Sequence, residues 1–77
     1  MSPTGALRAR NLIRKLRDRG CNAAIRPCYS PRENICIETI VLDRDGEWRP
    51  VLSFDEQDAL NNGHTLNLDA IFDKLDH

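Results

Sequence analysis

The chain has 77 residues, and its 11 lysines and arginines against 12 aspartates and glutamates leave a formal net charge of −1. That length fits one small domain, residues 1–77, with too little chain to bury a core and also wall a deep pocket. Hydrophobic residues at 40% and charged residues at 30% exclude a disordered chain, and no apolar run approaches the roughly 18 residues of a membrane span. No secretory signal is read at the N-terminus, so a reducing, cytoplasmic setting is expected for the three cysteines.

Residues 6–20 carry a helical pattern, with Ala6, Ala9, Leu12, Ile13 and Leu16 on one face and a stop at Gly20. Ser2 or Thr4 is available as its cap. Arg10, Arg14 and Arg17 line one flank of the apolar face, and Arg8, Lys15 and Arg19 line the other. Three strands are expected next, at residues 22–29, 34–42 and 47–54. Asp45-Gly46 marks a tight hairpin, because a type I′ turn needs positive φ at both central residues. A turn at Pro31-Arg32-Glu33 would set Cys28 against Cys36, Arg26 against Glu38 and Ile25 against Thr39. The second turn would set Val41 against Pro50. Residues 55–60 read as one acidic helical turn. Asn67 can cap a last helix carrying Leu68, Ile71, Phe72 and Leu75.

The predicted architecture is α+β, in the order α-β-β-β-α. It is a three-stranded antiparallel meander with two helices packed on one face. The helices are expected on Ile25, Ile35, Ile37, Val41, Trp48, Leu52 and Phe54. That leaves a face centred on Ile40, Leu42 and Val51 and rimmed by Arg26, Glu38 and Arg49, the pattern of a docking surface. The alternative is that residues 55–63 fold back over it.

Chemistry finds little footing. The gaps between Cys21, Cys28, Cys36 and His64 match no zinc spacing, and a half-buried Cys28–Cys36 thiol pair is the simpler reading. His64 reads as a solvated loop residue and His77 is terminal, so no base is placed for a nucleophile. No glycine-rich phosphate cradle is present. No enzyme activity, metal, cofactor or small-molecule substrate is expected.

The order of elements looks like that of the double-stranded-RNA-binding domain. The stretch NLIRKLRDRG at residues 11–20 resembles the opening helix of the HicA-type ribonuclease toxins, which ends at a glycine before the first strand. The toxins' Gly-Ser-His-His stretch on that strand has no counterpart, since the positions read Ile25-Arg-Pro-Cys-Tyr29. The lysine-rich start of the last helix of the RNA binders is replaced by Thr65-Leu-Asn-Leu-Asp69.

Charge is split along the chain. Residues 1–42 carry eight basic and three acidic side chains, whereas residues 43–77 carry three basic and nine acidic ones. The first expectation is therefore a non-enzymatic regulator or inhibitor of a protein partner, suited to a phage or mobile element. It would dock or form a homodimer through Ile40, Leu42 and Val51, with the acidic half facing a basic surface. The second is nucleic-acid binding through Arg8, Arg10, Arg14, Lys15, Arg17 and Arg19. A diverged toxin-like ribonuclease is the third. A membrane partner is not expected.

Overall fold

The computed structural model describes residues 1–75, so the expectation for His77 lies outside the described residues. The fold is α+β, with α1 at Pro3–Asp18, β1 at Ala23–Ser30, β2 at Ile35–Arg44, β3 at Glu47–Pro50, α2 at Phe54–Asn61 and α3 at Leu68–Leu75. The three strands form one antiparallel sheet in the order β1-β2-β3. Among the described residues three helices are present where two and a turn were expected. Among the described residues, no helix is long and apolar enough to cross a membrane.

α1 begins where its sequence allows. The Ser2 hydroxyl accepts a hydrogen bond from the Gly5 amide at 2.9 Å, and Pro3 fills a first-turn position that needs no N–H donor. Ala9, Leu12, Ile13 and Leu16 are buried as the periodicity predicts, and Gly20 closes the helix end with φ 86°. Asn67 caps α3 through its side-chain oxygen, which accepts from the Ala70 amide at 3.3 Å. α2 opens on a full capping box: the Glu56 amide donates to the Ser53 hydroxyl, and the Ser53 amide donates to the Glu56 carboxylate.

That box makes α2 sensitive to acid. Hydrogen bonds from the Ser53 backbone and hydroxyl, helped by Lys74 at 3.6 Å, hold the Glu56 carboxyl below its ordinary 4.5. A depressed folded-state pKa gives stability that is whole above 4.5 and is lost as pH falls through the folded value. Glu56→Gln should therefore flatten the loss of stability on acidification. Ser53→Ala should lower the urea midpoint by the equivalent of about 1 kcal/mol. Urea titrations at neutral and acidic pH check both.

The second hairpin keeps its expected register, with Val41 opposite Pro50 and Arg44 opposite Glu47. Asp45 and Gly46 take φ 55° and 82°, as a type I′ turn requires. The first hairpin does not keep its register. Asn34 adopts φ 57° and its amide bonds the Ser30 carbonyl at 2.8 Å, so the turn takes one more residue than Pro31-Arg32-Glu33 supplies. Arg26 then faces Thr39, Ile25 faces Ile40, Cys28 faces Ile37 and Tyr29 faces Cys36. A one-residue slip turns β2 over relative to β1. It also separates Cys28 from Cys36 onto opposite faces, and the three cysteines are free thiols.

The expected inner face is therefore corrected. Ile40 is fully buried and Leu42 nearly so, in a cluster with Ala9, Leu12, Leu16, Ala23, Leu52, Leu60 and Ile71. Ile25 and Val51 pack half-buried against that cluster, so Ile40, Leu42 and Val51 line the core side of the sheet. The alternative reading describes what happens, since the segment after β3 folds back as α2 over this side of β2. Trp48, expected in the core, is 42% exposed.

Candidate interaction face

Alternation along the strands assigns the uncovered face. With Ile40 and Leu42 inward, the opposite side of β2 carries Ile35, Ile37, Thr39, Val41 and Asp43, flanked by Ala24, Arg26 and Cys28 on β1 and by Trp48 and Pro50 on β3. Ile35 is 45% exposed, and Trp48 stands at the other end of the face. The Arg26 guanidinium lies 5.6 Å from the centre of the Trp48 ring, a cation–π contact that bridges β1 and β3 across the middle strand. Arg26 is level with Thr39 and Trp48 with Asp43, so the bridge crosses over Val41. That explains why Val41 is only 2% exposed on a face that none of the described helices covers. One carboxylate oxygen of Asp43 is shielded there and accepts no hydrogen bond.

Prolines interrupt the outer edges of the sheet. The Asp43 amide bonds the Asn22 carbonyl, which makes the odd-numbered residues of β2 the hydrogen-bonding partners of β1. Pro27 then turns its missing N–H to the outer edge, and the neighbouring Ala23 carbonyl is taken by Arg17 at 3.0 Å. Pro50 occupies the corresponding outward position on β3. Both flanks thus lack the regular donor row that a further strand would need.

The middle strand is finished by side chains. β3 bends away after Pro50, with one last bond from the Val51 amide to the Ile40 carbonyl at 3.0 Å. The Ile40 amide then donates to Gln57 Oε1 at 3.0 Å, Gln57 Nε2 to Asn61 Oδ1 at 2.8 Å, and Asn61 Nδ2 to the Glu38 carbonyl at 2.9 Å. Gln57 and Asn61 lie one turn apart on α2, so one helix face stands in for the missing strand. Gln57 is buried and satisfied by these bonds.

The sequence-predicted site residues scatter. Arg26 belongs to the open face, while Ile40, Leu42 and Val51 lie on the other side of the sheet. Glu38 and Arg49 are exposed on that same helix side, where Arg49 pairs with Glu47 at 2.6 Å. The α1 cations do form two flanks. Arg10, Arg14 and Arg17 line a groove of about 620 Å³ over Ile13, Ala24 and Ile25, and Arg8 and Lys15, with Arg14 again, line a second groove beside Leu60 and Leu66. Arg19 stacks on Phe72 with its guanidinium 4.6 Å from the ring centre. Among the described residues, no cluster of three His, Cys, Asp or Glu side chains could hold a metal ion.

The residues of the open face that the sequence reading turned inward are Ile35, Ile37, Val41 and Trp48, of which Ile35 and Trp48 are exposed. The signal that could have found them is Asn34, a residue type that tolerates the left-handed conformation and so lengthens the turn. No family model, curated protein or solved structure matches the chain.

Proposed function

We propose that the chain is a small non-enzymatic interaction protein, a regulator or inhibitor that covers part of a partner protein through its open sheet face. The observation that carries this reading is the apolar row from Ile35 and Ile37 to Trp48, on a sheet whose outer edges are blunted by Pro27 and Pro50. The partner it fits presents an apolar surface with a carboxylate for Arg26. Acidic Asp55, Asp58, Asp69 and Asp73 on α2 and α3 lie across the sheet from that face and suit a basic surface reached from the helix side. Three free thiols suit a cytoplasmic setting.

A second reading, nucleic-acid contact through α1, has its own support. Arg8, Arg10, Arg14, Lys15 and Arg17 make no ion pair among the described residues. Their charge is left for phosphate.

Affinity capture from cell extract by the full chain separates the two. Under the first reading a captured protein is retained after nuclease treatment and by the double variant Arg14→Ser/Lys15→Ser, and it is lost on Trp48→Asp while the circular dichroism stays that of a folded chain. Capture that survives Trp48→Asp overturns that reading. Binding to duplex DNA whose log–log salt slope approaches roughly −0.9 per phosphate, flattened by the double variant, establishes the second.

A further inference from the structure

Beside the open face lies a strand edge that has been left unprotected. β1 and β2 run on together past the point where β3 turns away, so residues 35–38 of β2 have a neighbour on one side only. The even-numbered residues of β2 bond toward the β3 side, as Ile40 does with Val51. Asn61 takes the Glu38 carbonyl, and the Glu38 amide and both backbone groups of Cys36 face the unpaired side. The outer edges of the sheet each carry a proline at an outward position, but residues 35–38 contain no proline, lysine or bulge. Beside this edge lies a groove of about 290 Å³ lined by Met1, Ser2, Cys36, Glu38, Asp58 and Asn61. Glu38 and Asp58 are exposed and make no ion pair among the described residues.

We infer that this edge accepts an extended segment of a partner protein that carries a lysine or arginine, added as a strand in line with β3. The inference rests on the protein-docking reading and names its mode. Backbone groups of Cys36 and Glu38 supply the pairing, Glu38 and Asp58 receive the cation, and the added strand continues the open face beside Ile35 and Ile37. A strand on this side enlarges the surface that Trp48 begins.

The test uses the full chain labelled with nitrogen-15 and two end-blocked eight-residue peptides, one alternating valine with lysine and one alternating valine with glutamate. At saturation the lysine peptide should slow amide exchange at Cys36 and Glu38 by about tenfold or more, and the glutamate peptide should not. Cys36→Pro removes a donor that serves no internal bond, as Pro27 and Pro50 do on their edges, and should abolish the protection in a folded chain. Should that variant fail to fold, Glu38→Arg, an exposed change that leaves Asp58 as the one carboxylate of the groove, should remove the preference for the lysine peptide. Unchanged exchange at Cys36 and Glu38 with the lysine peptide overturns the inference. So does an undiminished effect in folded Cys36→Pro. Peptide-induced shifts confined to Trp48, Ala24 and Val41 overturn it while leaving the open-face reading intact. Protection that grows with protein concentration alone assigns the edge to a second copy and overturns the partner assignment.

Discussion

Ile40→Glu unfolds the protein at neutral pH. Ile40 is 0% exposed, and its backbone is tied on the open side of the strand to Val51 and to Gln57. A carboxylate placed there has no cation among its core neighbours Leu12, Leu16, Ala23, Leu52 and Leu60. Burying an unpaired charge costs several kcal/mol even after relaxation, and the lost aliphatic packing adds about 2–4 more. A domain of this size holds only about 4–12 kcal/mol in all. The far-UV circular dichroism of Ile40→Glu should therefore be that of an unfolded chain at 25 °C, while Ile35→Glu, on the exposed face, should remain folded. A folded Ile40→Glu monomer would return Ile40 to the surface, where the sequence alone places it.

Gly5→Ala should lower the melting temperature by roughly 10 °C, although alanine is the better helix former. A Cβ on Gly5 would stand 2.4 Å from the Asn61 carbonyl oxygen and 2.7 Å from that of Leu60, both backbone atoms at the end of α2. The helices cannot ease apart cheaply, because the Ser2 amide bonds the Asn61 carbonyl at 2.9 Å at the same crossing. Overpacking of this kind costs about 1–3 kcal/mol or more, against the roughly 1 kcal/mol that alanine gains in helix propensity. Separating α1 from α2 would also disturb Gln57 and Asn61, so the loss should exceed the helix gain. Thermal denaturation decides it: a melting temperature equal to or above that of the parent would mean the crossing has slack.

Local chemistry made much of the fold legible. Ser2, Gly20, Asp45-Gly46 and Asn67 each act as their residue types suggest, and α1 buries the face its periodicity marks. The facing of β2 was not legible, because both of its phases are apolar where it matters: residues 39–42 are all buried, two from each side. The decision passed to Asn34, one residue whose backbone conformation set the length of a turn. Gln57 was hidden for a different reason. A polar side chain in an acidic stretch gives no pattern of burial, and its role depends on where β3 happens to stop. The α1 cations were found by position, and the open face was missed with the register.

The closure of β2 by α2 also bears on how the chain is made. The Glu38 carbonyl and the Ile40 amide wait for partners 23 and 17 residues further along, and the Ser2 amide waits for Asn61. During synthesis the meander leaves the ribosome before the helix that completes it, so its middle strand emerges with that side bare. Contacts of such separation carry a loop-closure cost and form late, after local helices and turns. Throughout that interval Pro27 and Pro50 guard the outer strands of the nascent sheet against a neighbouring chain. When α2 docks it takes the Ile40 amide and the Glu38 carbonyl, joining the beginning of the chain to its last third in the same step.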